Sequence, residues 1–272
     1  MEFLKEVLKK VFAIFGFEIH RSSGQPVSFA NFSNLSLAYE QRIKESGHFI
    51  GENKNRAKLL ARLIGTLPSE AYFIVLALAE CKDVDGDICE FGVAQGETSA
   101  LIASEIESSN KTFHLFDSFE GLPEPTEKDQ LIDDIFSLGS MEAYAGKMSC
   151  PEKLVRARLK AISFSSDRYV IHKGYFDRVL REDPNLPQKV CFAYLDFDFY
   201  EPIKVVLEFL HQASSEGTII VVDDYGFFST GVKTAVDEFL EEKNSKSIIY
   251  ECLVPNTQYG HFAVLTRKSS RE

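Results

Sequence analysis

With 272 residues, the chain is long enough for one large domain with a well-buried core, and its formal net charge of -11 argues against binding a phosphate backbone, so no nucleic acid partner is expected. Hydrophobic residues make up 44% and charged residues 26%, an ordinary globular balance, and no apolar run approaches the roughly 20 residues a bilayer span needs. The cysteines Cys81, Cys89, Cys150, Cys191 and Cys252 are scattered, with neither zinc-ligand nor redox-pair spacing, and suit a reducing cytoplasm.

In chain order, Phe3, Leu4, Val7, Leu8, Val11, Phe12 and Phe15 recur at helical spacing with Lys5, Lys9 and Lys10 between them, which predicts an amphipathic helix. The interspersed charges distinguish it from a signal peptide. Such a helix packs on its own domain or on a second subunit, which makes a homo-oligomer the expected assembly. The alternative is contact of residues 1–17 with the inner membrane from the cytoplasmic side. Ser22 to Asn55 is polar and mixed and reads as a loop or cover. The expected organisation is a helical extension with a lid over residues 1–60 and one main domain over 61–272.

Helical patterns follow in NRAKLLARLIG (55–65) and SEAYFIVLALAEC (69–81). Strand-like runs then alternate with helices, as in a parallel sheet with crossover helices: DICEFGV, TFHLFD, RYVIHKG, VCFAYLDFD and GTIIVVDDY. The intervening helices are expected at Thr98 to Glu107, Pro151 to Ala161, Glu201 to Gln212 and Gly231 to Glu242. SIIYECL and GHFAVLT suggest a terminal antiparallel hairpin. The fold class is therefore α/β, a doubly wound, mostly parallel sheet.

In open α/β sheets ligands gather beyond the C-terminal strand ends, and four strands here end in acid. Glu90 and Phe91 lead into Gly92 and Gly96, then into a helix opening on Thr98 and Ser99. This turn offers backbone N–H groups and a positive helix end to a ligand. Its Gly-x-x-x-Gly spacing differs from the dinucleotide fingerprint, and no phosphate-loop Lys-Ser/Thr pair follows, so a methionine-like carboxylate fits better than a pyrophosphate. Asp117, followed by Ser118, can accept ribose hydroxyls. His172, ahead of Gly174 at another strand end, is the histidine expected to approach a cofactor. Asp196 and Asp198 follow one strand and Asp223 and Asp224 the next. So many anions at one edge call for a cation, and all-oxygen ligands favour magnesium. The alternative is that they are solvated turn acids or helix N-caps.

The segments EFGVAQG (Glu90 to Gly96), FDSFEGLP (Phe116 to Pro123), LDFDFYEP (Leu195 to Pro202) and VDDY (Val222 to Tyr225) resemble, in this order, the macrocin O-methyltransferase family of the TylF/MycF type. The resemblance covers roughly Asp87 to Leu240. It implies a class I methyltransferase fold, S-adenosylmethionine as methyl donor, Mg2+, and methylation of a hydroxyl on a sugar or glycosylated small molecule. By motif position it implies Asp196, Asp223 and Asp224 as metal ligands and Asp198 as general base. Glu90, Gly92 and Gly96 would line the methionine end and Asp117 the ribose. Acceptor choice is expected in the first 60 residues and in Glu124 to Ser149. The opening that ends in FGFEIHR resembles proteins of bacterial surface-sugar gene clusters, which implies a surface-glycan precursor as acceptor. Two rivals are a non-catalytic cofactor-binding partner subunit, disfavoured by the full carboxylate set, and a nicotinamide-dependent oxidoreductase, disfavoured by the glycine spacing.

Overall fold

Val190 to Leu195 contains no charged residue, and a strand of that kind is stable where helices cover both faces of a sheet. In the computed structural model, which describes residues 50–269 apart from 246 and 248 and the isolated positions 35, 37, 41 and 44, all six of these residues are buried. They form β4 (Val190–Leu195), flanked by β1 (Asp87–Phe91) and β5 (Ser214–Val222), with β2 (Phe113–Asp117) and β3 (Tyr169–Lys173) beyond β1. These five strands are parallel. On the other edge, β6 (Tyr250–Leu253) and β7 (Ala263–Arg267) pair antiparallel with each other, and β7 also pairs antiparallel with β5. The order of the seven strands is β3-β2-β1-β4-β5-β7-β6. The expected amphipathic helix at Phe3–Phe15 and most of the expected cover lie outside the described residues.

The pleat sends alternate side chains to opposite faces. Ile88, Phe192, Tyr194, Ile219 and Val221 enter one apolar cluster. They meet α2 (Pro68–Glu80) through Phe73 and Ile74, α3 (Glu97–Glu105) through Ile102, and α4 (Glu152–Ala161) through Val155 and Leu159. Cys89, Phe91, Ala193, Leu195, Ile220 and Val222 enter the other. That face is covered by α5 (Phe176–Glu182), α6 (Tyr200–Ala213) and α7 (Thr230–Lys243).

Two boundaries depart from the sequence reading. The helix expected over 55–65 closes early as α1 (Arg56–Leu60), and the residues beyond it leave the helix, with Ile64 turned outward and Gly65 at a positive φ of 89°. The short α5 was not anticipated: it is seven residues long, bounded by the positive-φ Gly174 and by Asp183-Pro184, too short for a helical period to stand out.

The chain builds β1, β2 and β3 outward and then returns to lay β4 against β1. That reversal opens a crevice between the C-terminal ends of β1 and β4. The sheet behind it is rigid by packing, so truncating its centre is costly. Phe192→Ala, at a fully buried β4 position, should cost about 3–5 kcal/mol in urea unfolding while leaving the unfolding slope unchanged.

Candidate active site

The ladder of β1 runs on past its last residue. Gly92 N–H donates to Phe116 O at 2.9 Å and Asp196 N–H donates to Phe91 O at 2.7 Å, so the acids after β4 start from a fixed backbone. Gly92 has φ 88°, and a Cβ there would lie 1.8 Å from the carbonyl oxygen of Asp196, so only glycine lets the two strand ends approach this closely. Asp223 N–H donates to Leu195 O at 2.8 Å and continues β5 in the same way. Asp198 and Asp224 hold positive φ values of 58° and 54°, a region asparagine and aspartate tolerate better than most side chains.

These backbones surround a cavity of about 990 Å³ whose lining includes Gly92, Asp117, Ser118, Gly174, Asp196, Asp198, Asp223 and Asp224. One carboxylate oxygen each from Asp196, Asp198 and Asp224 lies within 4.8 Å of the other two, a spacing that suits a shared cation. Asp223, expected among the ligands, is engaged differently. Tyr194 Oη donates to its Oδ2 at 2.7 Å and Asp224 N–H donates to its Oδ1 at 2.8 Å. None of the four acids caps a helix. Phe199 and Ser229 occupy the cap positions of α6 and α7, and Ser229 Oγ both accepts from Gly231 N–H and donates to Asp198 O.

Burial pushes the carboxyls of Asp196, Asp198 and Asp224 well up from the usual range, and their mutual repulsion adds to it. Asp223 is raised by burial too, but the Tyr194 hydroxyl and the Asp224 N–H pull it back. Glu70, which sequence reasoning missed, lines the cavity, is 2% exposed, and is raised by burial and then by Asp223. The signal was an acid directly ahead of the apolar run AYFIVLALA (71–79). Tyr194 was also missed, since its hydroxyl was hidden in a strand core.

Asp117 spends its carboxylate on the glycine turn. Oδ2 accepts from the N–H groups of Val93 and Ala94, both at 2.8 Å, and Oδ1 from Phe119 N–H at 2.6 Å. About four acceptor positions exist on a carboxylate, so a ribose hydroxyl would share this group with the loop it shapes. Ser118 Oγ donates to Gly121 O and closes the next turn. Arg158 on α4 fastens the other side of the glycine turn through Gln95 O and the Glu97 carboxylate.

Glu90, Phe91, Gly96, Thr98, Ser99 and His172 do not line the cavity. Phe91 is stacked on Phe116 with ring centroids 4.5 Å apart. Gly96 supplies the left-handed N-cap of α3, and Thr98 bonds Thr66. His172, within β3, is 1% exposed and held between His114 of β2 and Asp183. Glu90 is fully buried, and among the described residues neither its oxygens nor Ser99 Oγ finds a hydrogen-bond partner. Burial raises its pKa well up; the nearby Ser99 hydroxyl offsets part of this and the Asp117 charge adds to it.

The crevice at the strand reversal, the glycine turn and the acidic strand ends define a class I methyltransferase that uses S-adenosylmethionine. More narrowly, the chain belongs to the macrocin-O-methyltransferase (TylF) family, whose sequence pattern matches residues 62–253. A search of curated proteins returned no match. Among solved structures, the O-methyltransferase NovP aligns with a TM-score of 0.63 at 20% identity, covering 88% of this chain and 100% of that one. CalS11, a calicheamicin methyltransferase, aligns with a TM-score of 0.54 at 22% identity, covering 91% and 94%. Its apo form, described as a TDP-rhamnose 3'-O-methyltransferase, gives 0.52 at 21% identity over 91% and 96%. At these identities the likeness is one of fold. No described helix is long and apolar enough to cross a membrane.

The orphaned Glu90 has a measurable signature. An acid whose folded pKa is raised binds a proton that the unfolded chain has lost, so stability falls as pH rises from about 4.3 through the folded value. Glu90→Gln should flatten that part of the stability-versus-pH curve and stabilise the ligand-free protein near neutral pH by about 1 kcal/mol. Denaturant titrations across pH check this; an unchanged curve would mean that Glu90 is neutralised by other means.

Proposed function

We propose that the chain methylates a hydroxyl of a sugar or glycosylated small molecule with the help of Mg2+ held by aspartates of the cavity. The observation that carries this reading is the convergence of Asp196, Asp198 and Asp224 in the cavity that the glycine turn also faces. The donor set fits the ion: it is all oxygen, as magnesium prefers, and its carboxyls are raised by burial and mutual repulsion, a cost that a cation offsets. For S-adenosylmethionine the fit is the unpartnered Glu90 behind the turn and Asp117 and Gly174 on the cavity wall.

S-adenosylmethionine supplies an electrophilic methyl group, and magnesium orients acceptor oxygens and lowers the pKa of the attacking hydroxyl. The chain's own residues do the rest. Asp196, Asp198 and Asp224 would hold the cation, and Asp198 would also be the group that accepts the hydroxyl proton. An unperturbed aspartate is a weak base for a sugar alcohol, so the cation and the fixed placement of the hydroxyl would have to supply most of the activation. Asp223 is a positioning group: anchored by Tyr194, it fixes the turn that carries Asp224. Leu122, Phe197, Pro202 and Phe227 on the cavity wall exclude water from the transfer.

The reading is tested by following labelled methyl transfer to a panel of sugar hydroxyls, with TDP-rhamnose and surface-glycan precursors included, with and without magnesium. Incorporation should require magnesium. Asp198→Asn should lower turnover by about 100-fold or more while the affinity for S-adenosylhomocysteine stays within about twofold. Full activity in Asp198→Asn would remove it from the mechanism, and transfer to no sugar at all would remove the acceptor class.

A further inference from the structure

His172 lies outside the cavity, yet its two ring nitrogens are both engaged. Nδ1 is 2.7 Å from Asp183 Oδ2, and Nε2 is 2.9 Å from His114 Nδ1. His114 Nε2 in turn faces Asp87 Oδ2 at 3.4 Å, within ion-pair range. His172 is 1% and His114 5% exposed, so water cannot substitute for these partners. The result is a polar chain, Asp183–His172–His114–Asp87, that crosses from the C-cap of α5 through β3 and β2 to β1.

Counting protons along it gives an odd number. An ionised carboxylate only accepts, and a neutral imidazole carries one N–H. Two neutral rings therefore bring two N–H groups to three contacts. All three close only when one ring is an imidazolium; otherwise one contact sets lone pair against lone pair. The contact at the Asp183 end matters for the cavity, because Asp183 caps the helix whose opening residues Tyr175, Phe176 and Asp177 line it. Gly174 N–H also donates to Asp117 O at 3.0 Å, so β3 and β2 present their cavity residues together.

We infer that His172 and His114 are a proton-gated positioning pair: one additional proton closes the four-residue chain and holds α5 against the ends of β2 and β3, where the cofactor half of the cavity lies. The ligand arm of the test rests on the methyltransferase reading; the pairing itself does not. The charged and titratable groups facing the two rings are Asp183 after α5 and Asp87 on β1, with Lys111 before β2 and the Cys89 thiol of β1 acting beside Asp87. Phe116 stacks on His172 at 4.3 Å.

Burial lowers the pKa of His172, and Asp183 pulls it back up. By linkage, the proton that Asp183 favours also strengthens the hold on Asp183. The chain is thus closed in mild acid, and it opens as pH rises through the titration of His172, which burial lowers from the usual imidazole range.

The discriminating variant is Asp183→Asn. Its amide can donate to His172 Nδ1 while its oxygen keeps the Asn185 contacts, so two neutral rings suffice for every link. Asp87→Asn does the same from the other end, with its oxygen kept for Thr112 N–H. Amide exchange of residues 176–182 and S-adenosylhomocysteine affinity are followed between about pH 5 and pH 8. In the wild type, protection should fall and affinity drop roughly threefold to tenfold through one titration as pH rises. In Asp183→Asn that titration should vanish from both, whereas the pH dependence of the distant carboxylates remains common to the two proteins. Superimposable profiles would overturn the inference. Absence of S-adenosylhomocysteine binding at every pH would count against the cofactor reading and leave the exchange data to decide this one. Should Asp183→Asn fail to fold, Asp87→Asn replaces it, and nitrogen-15 histidine spectra of the wild type count the ring N–H groups directly: three in acid support the pair, two throughout contradict it.

Discussion

Five carboxyl groups, Glu70, Asp196, Asp198, Asp223 and Asp224, converge beyond the ends of β4 and β5, buried or half-buried in a place where charge is costly. Anions held this close cannot all remain ionised without either protons or a cation. The neighbouring structure works against the strain of keeping them there. The β1 and β4 backbones are locked by the Asp196 to Phe91 hydrogen bond, and Gly92 passes within reach of the Asp196 carbonyl. Two aspartates in the left-handed region turn their side chains back towards the cluster. Strain of this sort persists where the surroundings over-determine it, and the two apolar clusters on either side of the sheet provide that support.

The same constraint divides the cavity into two halves with different chemistry. On the side of β4 and β5, acids await a cation. On the side of β1 to β3, Asp117 already accepts hydrogen bonds from three backbone N–H groups and acts as the clasp of the glycine turn. Preorganisation there comes from hydrogen bonds within the protein, so a ligand meets a turn that is already shaped. Glu90 is the exception: a carboxyl without a partner costs stability in the ligand-free chain, as groups kept for binding commonly do.

Much of this was legible in the sequence because strands buried on both faces leave unbroken apolar runs, and the acids that terminate such runs must emerge at one sheet edge. The five parallel strands, the terminal antiparallel pair and the convergence of the β4 and β5 acids follow from that logic. What escaped it depended on side-chain direction. Thr98 and Ser99 on α3 and His172 on β3 lie within four residues of cavity residues in sequence but are buried away from the cavity, and position along an element alone does not say which face a residue takes. Asp223 and Asp224 are neighbours that diverge, one to Tyr194 and one to the acidic trio, because a single residue in the left-handed conformation separates their directions. Glu70 and α5 were hidden for a related reason: one is an isolated acid in a buried helix, the other a helix too short to display its period.

The most direct measurement is calorimetric titration of Mg2+ into the purified protein, in parallel with Asp196→Asn and Asp224→Asn. A cation requirement set by the Asp196, Asp198 and Asp224 trio predicts one binding site in the wild type that raises thermal stability and is lost in both variants. Folded wild-type protein that binds no divalent cation, or variants that bind it as well as the wild type, would contradict the assignment of these carboxylates to a metal.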